Sequence, residues 1–521
     1  MKSLKKLITI RGMLFLFLIP QLSLSQNLDS LFLQRSEIYF SFKFKNKNQL
    51  KIASEVISLD HKVNSETAYA YANKKEFAEF LKLEIQYLIK DDIPKQYVNG
   101  SISNWDYYPT YQEYVDMMMN FSTQFPEICK TYSLGTLSSG REILIVQISR
   151  NVSQKEDEPS FLYTSSMHGN ELTGYILCLR LIDHLLNGYG NDTILTNLVN
   201  QIDIWINPLA NPDGAYAGGN QDVWSATRYN NNLVDLNRNY PDPEDGLHPD
   251  GNPYQAETNI FIGLSDTIDF TISANIHSGA EVCNYPWDTW SSLAADDSWW
   301  QYVSSEYADS CQANSGSGYF DYLNNGITNG NDWYEVNGGR QDYMNYYKNC
   351  REFTLEISDE KIPDPNELPE LWDANHSSLL NYMQQSLYGL RGIITDSITG
   401  KPIRAKVEIL GHDLDNSHVY SSLPIGNYHR YLIQSNYDIS FSKTGYHTKT
   451  INTTILNNTS SVLNVQLAQI NPTSTKVVNS NLLNDENKLV NLLGIEKNKR
   501  KNSIHITTGR TGISEKKIIL E

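Results

Sequence analysis

The sequence is short of positive charge. Its 521 residues carry 42 Lys and Arg against 60 Asp and Glu, a formal net charge of −18. Sequence-independent nucleic-acid binding needs a positive face for the phosphates, and a chain this acidic is a poor candidate for it. Long apolar runs are missing too. Beyond the first 25 residues no segment approaches the roughly eighteen apolar residues of a spanning helix, so no transmembrane anchor is expected. Cysteine is sparse. The five residues Cys129, Cys178, Cys283, Cys311 and Cys350 are widely spaced, show no zinc-knuckle pattern, and leave at least one thiol free in any pairing. No repeat of about 20–50 residues is visible, which argues against a solenoid or propeller. What remains is globular: 40% hydrophobic and 20% charged residues, in a chain long enough for roughly two to four domains.

The charge is unevenly placed. Residues 1–11 hold Lys2, Lys5, Lys6 and Arg11 with no acid, a net of +4, and residues 476–521 also net +4, so the stretch between them carries −26. The basic start is followed by the apolar run Met13–Leu24 and by Ser23-Leu24-Ser25 ahead of Gln26, the pattern of a signal peptide over 1–25. A secreted or surface-bound protein is therefore expected.

Residues 26–104 read as a small α+β unit, a propeptide or a permanent accessory domain. Glu37–Phe44 alternates like a strand, and Lys75–Leu88 has helical spacing. The block 105–388 alternates strands (Ile143–Ser149, Ser160–Ser165, Ile202–Ile206, Thr271–Ile276, Phe353–Ile357) with helices such as Leu172–Leu186 and Glu370–Leu387. That order predicts an α/β domain with a mixed central sheet flanked by helices. Residues 389–468 carry short β runs, including Ala405–Leu410, Tyr431–Gln434, Tyr437–Phe441 and Val462–Leu467, punctuated by Gly and Pro, and predict a small all-β sandwich. Residues 469–487 read as a linker, and 488–521 as a separate basic tail.

Directly after the strand ending at Ser165 comes Met167-His168-Gly169-Asn170-Glu171. Strand ends are where α/β folds present ligands, and one tight turn can aim the His168 imidazole and the Glu171 carboxylate at one point. Alone, the pair also reads as a helix start with Glu in its first turn. His277 closes another strand and supplies the third ligand that a catalytic zinc site uses. Arg228, Asp235, Asn237 and Arg238 lie in a polar stretch suited to gripping carboxylates and carbonyl oxygens. Glu356 sits inside a β run, where an unpaired carboxylate asks for a functional explanation.

Together these residues resemble a zinc carboxypeptidase of the funnelin family, in its carboxypeptidase D/E/N-like regulatory subgroup. The resemblance implies one Zn²⁺ per chain on His168, Glu171 and His277, with Asp235 orienting His168. It implies Glu356 as general base and Arg228 as stabiliser of the oxyanion. Asn237 and Arg238 would hold the substrate's terminal carboxylate, with Tyr334 closing over it. Asp288 and Gln341 match positions tied to C-terminal Arg or Lys, although Asp is equally at home in turns. The stretch from Asp288 to Gly330 reads as a long loop.

The 389–468 unit is similar to a transthyretin-like domain, and the 488–521 tail to a sorting segment read by a type IX secretion machinery. The expected activity is hydrolysis of the last peptide bond of peptides or proteins. The alternatives are a peptidoglycan or γ-glutamyl peptidase on the same fold, or an inactive surface-binding module.

Overall fold

A computed structural model describes residues 28–33, 35–90, 97–316 and 318–470, and the strands Lys488–Val490, Ile504–Thr508 and Ser514–Ile518. The expected leader, nearly all of the linker and most of the tail lie outside the described residues.

The alternating block forms an eight-stranded mixed sheet in the order β11-β10-β12-β9-β7-β8-β6-β5. These strands are β5 (Cys129–Thr136), β6 (Glu142–Ile148), β7 (Ser160–Ser165), β8 (Asp203–Asn207), β9 (Phe270–His277), β10 (Ala280–Tyr285), β11 (Ile327–Asn329) and β12 (Arg351–Ser358). The inner strands β12, β9, β7 and β8 run parallel, while β10 joins β12 and β6 joins β8 antiparallel. β7 and β12 are buried at every residue, as expected where both faces of a sheet are covered. Period-two alternation sends Phe161 and Tyr163 of β7 into the core shared with the helices Thr173–Gly188 and Leu368–Gln385. Leu162 points into the opposite core, beside Phe261 and Met344.

The stretch after Asp288, expected to be a loop, contains the helix Asp297–Ala313. Its apolar residues Trp299, Trp300, Val303, Tyr307 and Cys311 fall at helical spacing and are buried; the Asn-, Ser- and Gly-rich residues that follow obscured that period. All five cysteines are buried and free.

Before the sheet stands the α+β unit. It has four strands, β1 (Glu37–Lys43), β2 (Ser58–Val63), β3 (Thr67–Asn73) and β4 (Tyr87–Lys90), in the antiparallel order β2-β3-β1-β4. Two helices cover one face. Lys47–Ser54 starts at Asn46, whose side chain accepts from the Gln49 backbone. Lys74–Leu81 starts at a capping box of Asn73 and Glu76. The helix expected to reach Leu88 ends at Leu81: Glu84 takes a left-handed conformation (φ 53°), and the chain turns into β4. Ile38, Phe40, Phe42, Phe77 and Phe80 share a core with Val282, Trp333 and Val336 of the main sheet domain. The α+β unit is therefore packed onto that domain.

After it come β13 (Gly389–Asp396), β14 (Lys406–Ile409), β15 (Val419–Tyr420), β16 (Asn427–Arg430), β17 (Ser435–Ser442), β18 (Lys449–Ile455), β19 (Ser460–Val462) and β20 (Val465–Leu467), in two small sheets around Ile394, Val407, Phe441 and Val465. The strand expected at Tyr431–Gln434 lies instead at Asn427–Arg430, where the chain pairs with β13. The β-sandwich is anchored by a buried ion network. Asp296 of the main domain meets Arg351 at 2.8 Å, Arg430 at 2.8 Å and His412 at 2.9 Å. The three tail strands form a separate antiparallel sheet. No helix among the described residues is long and apolar enough to cross a membrane.

Candidate metal centre

The site lies at the carboxyl ends of the central strands. β7 ends at Ser165, Ser166 turns left-handed (φ 58°), and its hydroxyl donates to the Glu171 carbonyl at 2.7 Å. Gly169 lets the turn lie flat on its neighbour, because a Cβ there would come within 2.2 Å of the Gly214 backbone. The turn faces the His168 and Glu171 side chains toward His277, the last residue of β9. Glu356 of β12 is the direct register partner of His277, so ligand candidate and base candidate stand side by side on parallel strands.

The distances are short. Glu171 Oε1 is 3.1 Å from His168 Nδ1, and Glu171 Oε2 is 2.8 Å from His277 Nδ1. His168 Nε2 is 3.0 Å from Asp235 Oδ1. A carboxylate only accepts, so Nε2 carries the proton and Nδ1 keeps its lone pair. That Nδ1 is buried without a hydrogen-bond partner. With Nδ1 unprotonated, a cation between the two acceptors, 3.1 Å apart, would relieve their repulsion. His61, in the N-terminal unit, brings a fourth donor: His61, His168, Glu171 and His277 each offer a ligand atom, all within 4.8 Å of one another.

Asp235 bridges the set. Its Oδ1 faces His168, its Oδ2 accepts from Arg228 Nε at 3.0 Å, and its Oδ1 also caps the Asn237 backbone at 2.8 Å. Arg228 Nη1 reaches Glu171 Oε1 at 3.3 Å. Lys361 lies 2.7 Å from Glu171 Oε1 and 3.0 Å from Asp60 of the N-terminal unit. Burial opposes the charge on Glu171, yet His168, Lys361 and His277 outweigh it and hold the carboxyl well below its usual range. Asp235 is likewise kept ionised against burial by Arg228 and His168. Before any metal is counted, burial lowers His61 but Glu356 and Glu171 outweigh it, raising it to about 9.

The other expected residues divide. Glu356 is fully buried; its Oε2 lacks a hydrogen-bond partner and its Oε1 lies 3.0 Å from His61 Nδ1. Arg238 donates from Nη1 to the Asn237 carbonyl, while its Nη2 is buried and unpartnered. Asn237 uses its Oδ1 to hold the Arg340 backbone at 2.9 Å. The Tyr334 hydroxyl lies 3.2 Å from His61 Nδ1. Gln341 braces the sheet, its Oε1 accepting from the Thr354 backbone at 2.7 Å, and leaves Nε2 unpartnered. Asp288 is buried against Asn284, 3.0 Å away. Burial raises it to about 7, against the pull of Asn284 and Arg238.

A family model described as "Zinc carboxypeptidase" matches residues 114–378, just over half of the chain. The chain belongs to the zinc carboxypeptidase family. It is 36% identical over 353 residues to carboxypeptidase D of Mus musculus, a match covering 65% of this chain but 25% of that protein. The chain thus spans about a quarter of that relative's length. Carboxypeptidase E of Caenorhabditis elegans is 30% identical, over 68% of this chain and 84% of that one. The solved carboxypeptidase A from Helicoverpa armigera shares the fold, with TM-score 0.53 and 19% identity, covering 67% of this chain and 97% of that one.

The zinc that this carboxypeptidase family implies fits the residues present. The donors are imidazole and carboxylate, as Zn²⁺ prefers, and donors about 2.0–2.1 Å from a tetrahedral ion stand roughly 3.3 Å apart. The observed separations of 2.8, 3.1 and 3.6 Å bracket that edge.

Three residues at this site escaped the sequence reading. His61 and Asp60 come from a unit more than a hundred residues upstream of His168 and carry no motif. Lys361 follows Glu356 closely but falls in an ordinary charged turn.

Proposed function

We propose that this zinc carboxypeptidase removes single residues from the C-termini of peptides or proteins outside the cell, with preference for Arg or Lys. The observation that carries the reading is the pairing of Glu356, a buried carboxylate on β12 whose Oε2 is unpartnered, with the His168, Glu171 and His277 donor set. His168, Glu171 and His277 would hold the zinc. When bound, it supplies polarisation of the scissile carbonyl and acidification of a water molecule.

The chain's own groups do the rest. Glu356 takes the proton of the attacking water and returns it to the leaving amine. Arg228, fixed by Asp235, places positive charge where the carbonyl oxygen becomes negative, a charge that exists only during reaction. Arg238 offers its unpartnered Nη2–H to the terminal carboxylate, which selects chain ends over internal bonds. Asp288 is the counter-charge for a basic last side chain. Arriving guanidinium or ammonium would draw the proton from a carboxyl whose burial now raises it to about 7.

The leader 1–25 and the tail 488–521 support export, the tail through a type IX machinery, and the two-sheet unit over 389–468 supports a transthyretin-like scaffold role. N-terminal and C-terminal sequencing of the exported protein tests both processing expectations.

Peptides differing only in the last residue, incubated with the full chain and read by mass spectrometry with and without a zinc chelator, test the activity. Stepwise loss of C-terminal Arg or Lys, abolished by chelator, is expected. Internal cuts or chelator-insensitive trimming contradict the reading. Faster release of Phe or Leu than of Arg contradicts only the role of Asp288.

A further inference from the structure

The N-terminal unit places one side chain where a carboxypeptidase needs open space. β2 and β3 pair from Ser58↔Tyr71 and Leu59↔Ala70 to Val63↔Ala68. Four residue steps on β2 thus match two on β3, and Asp60, His61 and Lys62 bulge off the ladder. Bulges re-aim side chains, and this one turns both Asp60 and His61 toward the metal centre. The bulge is held from behind: Tyr39 donates to Asp60 Oδ2 at 2.7 Å, Asp60 Oδ1 accepts from the His61 backbone at 3.0 Å, and Lys361 pairs with the same carboxylate.

The receiving side has room for an imidazole. Gly279, just beyond His277, has φ 130°, and a Cβ there would come within 2.9 Å of the His61 ring. His61 is 5% exposed. Its Nε2 is 3.6 Å from Glu171 Oε1 and has no hydrogen-bond partner, while its Nδ1 lies 3.2 Å from the Tyr334 hydroxyl and 3.0 Å from Glu356 Oε1. A metal-bound histidine commonly turns its other ring nitrogen toward a carboxylate. Here that carboxylate is Glu356.

We propose that His61 is a fourth protein ligand to the metal, taking the coordination position a substrate or water needs, so that the N-terminal unit is an internal inhibitor closed by the metal itself. This rests on the zinc carboxypeptidase reading. Four protein ligands make a closed, structural type of zinc site, whereas catalysis keeps one position open. The same imidazole occupies Glu356 and Tyr334, so one residue withdraws the open position, the base and the closing tyrosine together. Other polar contacts also dock the unit: Glu37 accepts from the Arg228 backbone at 3.0 Å, Glu76 accepts from the Tyr229 hydroxyl at 2.6 Å, Asn73 donates to the Leu233 carbonyl at 2.9 Å and Lys51 pairs with Glu335 at 2.7 Å. They hold the unit in place, and the metal sets the latch.

X-ray absorption at the zinc edge of the full chain, wild type and His61→Ala, tests this. Three imidazoles around zinc are expected in the wild type, and two with an added oxygen in His61→Ala. C-terminal trimming is expected to rise about tenfold or more in the variant as the closed population is released. Two imidazoles in the wild type overturn the latch and leave the zinc reading intact. Wild-type protein that binds no zinc overturns both. Should His61→Ala fail to fold, the wild-type imidazole count decides alone.

Discussion

Two buried clusters of acids and bases in this protein look alike in composition and differ in what they leave unpaired. Around Asp296, every carboxylate oxygen of Asp296 and Asp413 is met by Arg351, Arg430, His412, Ser417 or the Ile409 backbone. The unpartnered atom there is an N–H, Arg430 Nε. Around Glu171, the unpartnered atoms include lone pairs, on His168 Nδ1 and on Glu356 Oε2. Buried polar groups are normally satisfied. An excess of donors marks a cluster that already holds its cations, and an excess of lone pairs marks one that awaits a cation and a proton. The Asp296 cluster also satisfies a purely geometric test for three metal ligands, with His412 and Asp413, yet its positive charge is supplied by arginine. It joins the main domain to the β-sandwich.

The comparison can be broken from either side. The largest effect is expected at Glu356. Glu356→Gln should lower peptide hydrolysis by about 10²–10⁴-fold while zinc content and melting temperature stay near the wild-type values, measured in both the wild-type and His61→Ala backgrounds. Loss of zinc in Glu356→Gln would make that carboxylate a structural partner of the ion. On the other side, Asp296→Ala leaves Arg351 and Arg430 buried without their shared partner and should cost about 3–5 kcal/mol of stability. Zinc stoichiometry should not change. Denaturant unfolding and metal analysis on the same sample check both statements.

A smaller effect belongs to the bridge between the two kinds of chemistry. Asp235→Asn keeps the shape but removes the charge that fixes the His168 tautomer, and zinc affinity should fall about 10–100-fold, read by competition with a chromophoric chelator. Smallest is the pH effect at Asp288. A carboxyl raised to about 7 is neutral below that pH, so KM for peptides ending in Arg or Lys should rise as pH falls below about 7, and Asp288→Asn should flatten that dependence. Peptides ending in neutral residues should show no such rise; an equal rise for both would remove Asp288 from recognition.

Much of this centre was legible in the sequence because its chemistry sits on local signals. His168 and Glu171 share one turn after an apolar strand. His277 and Glu356 break the apolar character of two other strands at places where burial would otherwise forbid them. The mixed sheet followed from the alternation of period-two and helical runs. What stayed hidden depends on packing between distant segments. His61 reaches the site only because a bulge in β2 and the missing side chain of Gly279 coincide in space, and neither leaves a pattern along the chain. Lys361 acquires its meaning from Asp60 and Glu171 together. The helix Asp297–Ala313 was lost in a polar composition that hid its buried aromatic side, and the turn at Glu84 was lost because Leu83 and Ile85 prolong the helical spacing.

The contrast between lone pairs and saturated ion pairs is tested most directly by zinc titration of metal-free protein, following melting temperature and bound metal. The wild type should take up one zinc per chain, with stabilisation growing to about 2.7 kcal/mol at a hundredfold excess over Kd, and in His168→Ala, which loses one imidazole of the donor set, both uptake and stabilisation should be weakened. Wild-type protein that binds no zinc, or a His168→Ala variant that binds it equally well, would contradict the account.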